Sequence, residues 1–132
     1  MAQPVQHSVL TTSIKTGSDM YTLKRFVKVG SGVLAYCGAG ELAVGVLQAE
    51  TNEGKEAPVL VQGIAVVEVG SGGIVENTEV MSDANGKAVT WAHPVAGGTY
   101  SASEVNALFD KKSIGIALDT ASAGELVRVL LK

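Results

Sequence analysis

Arg25-Phe26-Val27-Lys28-Val29-Gly30-Ser31-Gly32-Val33-Leu34-Ala35-Tyr36-Cys37 is the stretch whose reading decides the fold. Arg25 to Val29 reads with period two, Val27 and Val29 on one side of the strand and Phe26 and Lys28 on the other. Gly30-Ser31-Gly32 then supplies a turn, and Val33 to Cys37 reads as the returning strand. The pattern predicts an antiparallel hairpin.

The same device recurs along the chain. Ile64 to Val69 runs into Gly70-Ser71-Gly72-Gly73 and resumes at Ile74-Val75, which predicts a second hairpin. A third is expected where Val80-Met81-Ser82-Asp83-Ala84 and Lys87-Ala88-Val89-Thr90-Trp91 flank Asn85-Gly86, residues that tolerate the positive φ of a type I′ turn. At an offset of seventy residues, Gly45-Val46-Leu47 through Gly54 to Val59-Leu60-Val61 parallels Gly115-Ile116-Ala117 through Gly124 to Val129-Leu130-Leu131. The shared spacing predicts two related β-units, too few for a solenoid. One segment reads as helix: Ser101-Ala102-Ser103-Glu104 is a capping-box arrangement, followed by Val105, Leu108 and Phe109 on one face and ending near Lys111.

A chain of 132 residues is one ordinary domain. With 16 glycines, 5% aromatic and 17% charged residues, it suits short strands joined by glycine turns. The expected fold is mainly all-β, a small β-barrel or β-sandwich of hairpins with one short helix. Residues 1–19, polar and rich in Thr, Ser and Gln, are expected as an extended N-terminal arm, and 20–132 as a single β-rich domain.

Composition also narrows the function. The net charge of −3 includes no basic run, which argues against nucleic acid as a partner. Cys37 is the lone cysteine, so neither an internal disulfide nor a multi-cysteine metal site is expected. No stretch approaches the roughly 20 apolar residues of a membrane span, and Met1 to Met20 lacks the pattern of a targeting segment.

Gly38-Ala39-Gly40-Glu41-Leu42-Ala43 imitates the turn of a dinucleotide fold, but the glycine at 45 and the later copy at 113–117 predict a strand where a pyrophosphate-binding helix would be needed. Glu50, Glu53 and Glu56 cluster without the order of a calcium loop and read as a solvated loop. His7 and His93 share no ligand spacing. Nucleophilic catalysis needs a base, for which the chain offers His7 and His93, both in expected loops; a Cys37 and His93 pair is set against the reading of Cys37 as a small buried hydrophobe. The expectation is therefore a chain that is not an enzyme and carries no cofactor, no metal and no catalytic set.

Arg25 to Val29, Ala43-Val44-Gly45-Val46, Val61-Gln62-Gly63-Ile64-Ala65, Ser82 to Val89 and Ile114-Gly115-Ile116-Ala117-Leu118, in this order, resemble the capsid cement, or head-decoration, proteins of tailed bacteriophages. The closing run Ala121 to Leu131 is similar to that family's ending. The resemblance implies a homotrimer on the outer surface of an expanded capsid, made in the host cytoplasm, with the major capsid protein and itself as partners. Its action would be mechanical, because a trimer that bridges capsid subunits must be released before the shell opens. Residues 92–112 look longer than the matching connection in many members, and the segment before Arg25 matches no motif of the family.

The arm suggests an attachment mode. Val9, Leu10, Thr11, Thr12 and Ile14 are β-prone and could add a strand to a capsid sheet edge. Trp91, Leu108 and Phe109 are candidate interface residues. The rival functions are a tail or fibre β-module of a virion and a small binding or enzymatic domain using Cys37 and His93.

Overall fold

The structure, a computed structural model, describes residues 5–91, 101–102 and 111–132. Among these residues the strands are β1 (His7–Lys15), β2 (Phe26–Gly30), β3 (Val33–Tyr36), β4 (Gly45–Leu47), β5 (Glu56–Glu68), β6 (Glu79–Ser82), β7 (Ala88–Thr90), β8 (Gly115–Ala117) and β9 (Leu126–Leu131). They form one sheet in the order β3-β2-β4-β5-β9-β8-β6-β7, with β1 also paired to β5. The fold is all-β. The expected helix from Ser101 to Lys111 lies largely outside the described residues.

The first hairpin forms as the alternation predicts. Val27 faces Tyr36 and Gly30 faces Val33, leaving Ser31 and Gly32 as the turn. Both have positive φ, 53° and 79°, the requirement of a type I′ connection.

The other two hairpins differ from expectation. Ile64 to Glu68 does not fold back onto Ile74-Val75; it is the second half of the long strand β5 and pairs with β9, from Ile64 opposite Leu130 to Glu68 opposite Leu126. Ile74 bridges Ala121 instead. The physical reason is length, since β9 offers five paired residues where Ile74-Val75 could offer two. In the third hairpin the pairing holds, with Ser82 opposite Ala88, but the turn is not type I′. Gly86 has positive φ, 78°, and Asn85 does not. Asp83 decides this: its Oδ1 accepts hydrogen bonds from the Asn85 and Lys87 amides at 2.8 and 2.9 Å. The result is a type I turn closed by a glycine bulge.

The seventy-residue echo is the trailing part of a larger duplication. Val46 opposite Leu60 and Leu47 opposite Val59 become Ile116 opposite Leu130 and Ala117 opposite Val129. Earlier strands repeat at a spacing of 53: Ile14 opposite Ala57 and Thr12 opposite Val59 become Val67 opposite Val127 and Ala65 opposite Val129. Likewise Val27 opposite Gly45 becomes Val80 opposite Gly115. Even the positive-φ positions match, with 61° at Lys24 and 62° at Asn77. The spacing grows in the third connection, which spans 37–44 in the first copy and 91–114 in the second.

The described strands thus form two five-stranded units, β1 to β5 and β5 to β9, that share β5. The end of each unit's first strand reaches its third strand through a parallel bridge, Thr16 to Leu34 and Val69 to Ala88, curling each unit into a half-barrel. One core cluster, with Met20, Val27, Leu34, Leu47, Ala57 and Val59, fills the first unit. Its counterparts Ile74, Val80, Ala88, Ala117, Val127 and Val129 fill the second. That second cluster also takes in Phe26, Cys37, Val46 and Leu60 from the first unit, so the outer face of the first unit's sheet is buried against the second unit.

Candidate interaction surface

The sequence predicts an arm over 1–19; in the structure His7–Lys15 is extended but held in the sheet, antiparallel to β5. β5 is its only strand partner along the sheet among the described residues, so β1 is an edge strand. Its register slips on either side of Leu10, where Ser8 faces Gly63, Leu10 faces Gln62 and Thr11 faces Leu60. Gly63, with φ 115°, permits this irregularity, because a Cβ there would overlap the His7 carbonyl and approach the Val9 amide at 2.9 Å. Two large apolar side chains are left outward, Val9 at 74% and Leu10 at 49% exposure. Thr11 and Thr12 are exposed beside them. Ile14 departs from this group and packs on the first unit's core.

An edge of this kind is chemically open. From Ser8 to Ile14 it carries no charge and no proline, the devices by which edge strands ordinarily refuse a partner. The arrangement can accept an extended segment by main-chain pairing, with Val9 and Leu10 as apolar contacts.

The remaining candidates are not gathered with β1. Trp91 is half-buried; its amide donates to the Glu79 carbonyl at 2.9 Å and its Nε1 to the Lys111 carbonyl at 3.1 Å, tying the two ends of the long connection together. Leu108, Phe109 and His93 lie outside the described residues, as does most of the 92–112 segment. Glu50, Glu53 and Glu56 are all exposed, and the Glu53 amide donates to Asp19 Oδ1 at 2.7 Å. Among the described residues no group of three or more His, Cys, Asp or Glu side chains could hold a metal ion, and no helix is long and apolar enough to cross a membrane.

The glycine turn that imitates a nucleotide site is occupied by the chain's own groups. Gly38 N donates to Glu41 Oε1 at 2.6 Å and Gly40 N to the Ser82 carbonyl at 2.9 Å. Glu41 also pairs with Lys28 at 2.6 Å; the hydrogen bond from Lys28, then that from Gly38, holds its carboxyl below the ordinary range. The turn leads into β4 rather than into a helix.

Cys37 is 1% exposed in the junction between units. Burial first, and the nearby Glu41 charge second, push its thiol up to about 12, with Lys28 opposing. A thiol so protonated is a poor nucleophile. Under native conditions Cys37 is expected to resist iodoacetamide and to react only on unfolding. Fast native alkylation would favour the enzymatic rival.

Sequence reading missed the ion pairs that staple the junction and the second unit. Glu68 Oε1 contacts Arg25 at 3.2 Å and its Oε2 contacts Lys87 at 3.1 Å. Burial works against the Glu68 charge, but hydrogen bonds from Lys87 and Arg25 together with their charges hold its carboxyl below the ordinary value. Asp119 grips Arg128 with both oxygens, at 2.9 and 2.8 Å. No short motif marks these pairs, because their partners are brought together by the strand register.

No protein-family model matches the chain and no curated protein matches its sequence. Among solved structures it is similar to the N base of head fiber gp8.5 in bacteriophage phi29, with a TM-score of 0.63 and 16% identity, over 93% of this chain and 93% of that chain. At that identity the likeness is one of fold.

Proposed function

We propose that this chain is a structural protein of a phage virion, which binds the outer surface of the expanded capsid as a homotrimer and bridges neighbouring capsid subunits. The likeness to the base of a phage head fiber, over 93% of each chain, is the observation that carries this reading. The ordered blocks from Arg25 to Leu131 that resemble cement proteins support it, as does an edge strand free of charge and proline from Ser8 to Ile14.

The proposed attachment uses the outer edge of β1. A strand of the major capsid protein would pair there, with Val9, Leu10 and Thr11 as its side-chain contacts. Because β1 is already ordered against β5, binding avoids the cost of ordering a free arm, roughly 1 to 2 kcal/mol per residue for backbone alone. Three copies per trimer then act by avidity. No covalent chemistry is involved and no cofactor is needed.

A tail or fibre module is the second reading, favoured by the fact that the similar structure is the base of a fiber. Electron microscopy of virions carrying a gold label at the C-terminus separates a tail module from the proposal, and a base that carries a fiber on the head is told apart by whether undecorated capsids open more readily than decorated ones. Label spread over the head is the expected result; label confined to the tail contradicts the proposal.

A further inference from the structure

We propose that copies of this chain assemble head to tail, the second unit of one copy docking on the first unit of the next as the two units dock inside the chain. This rests on the self-association proposed above and names its surfaces; it does not depend on capsid binding.

The internal junction supplies the template. On the first unit's side, the Lys24 carbonyl accepts a hydrogen bond from the Glu68 amide at 3.0 Å, and the Phe26 amide donates to the Gly86 carbonyl at 2.8 Å. Arg25 reaches the Glu68 carboxylate. On the second unit's side the contact is therefore made by the end of its first strand, Glu68, and by the tip of its hairpin, Gly86.

Each of these surfaces has a counterpart that is exposed in whole or in part among the described residues. Gly86 corresponds to Gly32, with φ of 78° and 79°. Gly86 is buried, and a Cβ on it would meet the Phe26 carbonyl oxygen at 2.9 Å, whereas Gly32 is exposed with nothing within 4 Å. Glu68 corresponds to Lys15, which is exposed. The outer edge of β5 near Glu68 is covered by the Lys24 carbonyl and by Gln6, whose Oε1 accepts from the Val66 amide at 3.3 Å; along the matching edge of β1 the described residues show only the bridge from Thr16 to Leu34, the counterpart of the one from Val69 to Ala88.

The other side of the contact is repeated at the far end of the molecule. Lys24 corresponds to Asn77, exposed and with the same positive φ, so its carbonyl is presented in the same way. Leu60, fully buried in the junction, corresponds to Leu130 at 44% exposure, and buried Val46 corresponds to half-buried Ile116. The charge pair Arg25 with Glu68 becomes Thr78 with Lys15, which introduces no like-charge clash. Phe26 becomes Glu79, ion-paired with Lys132, so the contact between copies is more polar than the one inside the chain. Such a heterologous contact closes into a ring when the rotation between units permits, and otherwise extends as a filament. A trimer is one closed case. The copy contact uses the Lys15 end of β1, leaving Val9 and Leu10 at the other end for a different partner.

Cross-linking tests this. Lys15→Cys and Thr78→Cys proteins, each in a Cys37→Ala background, are mixed and treated with a short bismaleimide. A linked mixed dimer is expected, with at least tenfold less product from either protein alone. Strong linking of Lys15→Cys alone would mean pairing of two β1 edges and would overturn the proposal, as would absent linking when monomaleimide labels both thiols. The double variant Lys15→Glu/Thr78→Arg restores the internal charge pair and should tighten association severalfold by sedimentation equilibrium; unchanged association also counts against it. Loss of linking with capsid binding intact sinks this inference alone, and the reverse outcome sinks the capsid reading alone.

Discussion

Gly45→Val and Gly115→Val are each expected to destabilise the protein by roughly 3 kcal/mol or more. A Cβ on Gly45 would overlap the Leu60 carbonyl oxygen and stand 2.8 Å from Val59 Cγ1. A Cβ on Gly115 would overlap the Leu130 carbonyl oxygen and stand 2.8 Å from Val129 Cγ1. Backbone cannot rotate aside as a side chain can, so the fourth strand of each unit must move off its neighbour and lose ladder hydrogen bonds. For a chain of this size the fall in Tm is about 10 °C or more. Gly54→Ala and Gly124→Ala are the controls. Those positions are open, with φ of 80° and 85°, and only the backbone strain of about 1 to 2 kcal/mol applies. Guanidinium titrations should show the midpoint shifting while the slope is retained. Near-native stability of either valine variant would contradict the duplicated packing.

Phe26→Ala carries the second large effect, a loss of about 3 to 5 kcal/mol. Phe26 is fully buried in the cluster that joins the second unit's core to Cys37, Val46 and Leu60 of the first. Truncation therefore leaves a cavity at the junction. Its counterpart Glu79→Ala should cost less, roughly 1 to 2 kcal/mol, because that side chain is part-exposed and gives up a surface ion pair with Lys132 and a hydrogen bond from Ser113 rather than a filled core site. Trp91 fluorescence follows the second unit, and its midpoint should fall in step with far-UV circular dichroism even though Phe26 belongs to the first unit. A fluorescence midpoint left unchanged by Phe26→Ala would show that the shared strand does not couple the units.

Much of the architecture was legible in the sequence, for local reasons. The alternation of Arg25 to Val29 and the Ser31-Gly32 turn specify a hairpin with no help from the rest of the chain. The spacing of Gly45 and Gly115 was also visible, because close approach of two backbones tolerates no other residue there. The pairing of Ile64–Glu68 with β9 was not legible, since a strand chooses among distant partners by total pairing length and burial. The leading half of the duplication was hidden for a different reason: Val27 and Val80 keep their roles, but Phe26 becomes Glu79 and Leu34 becomes Ala88, so burial differs where topology does not. The candidate surface was half legible. Thr-rich, uncharged Val9 to Thr12 announces a β-prone edge, whereas its attachment to β5 and the irregularity opposite Gly63 depend on tertiary pairing.

Co-sedimentation with expanded, undecorated capsids tests the central claim most directly. The wild-type chain should bind saturably, and Val9→Glu/Thr11→Lys, which changes only exposed side chains on β1, should bind at least tenfold more weakly with its circular dichroism unchanged. A folded wild-type protein that leaves the capsids bare at every concentration would contradict the account.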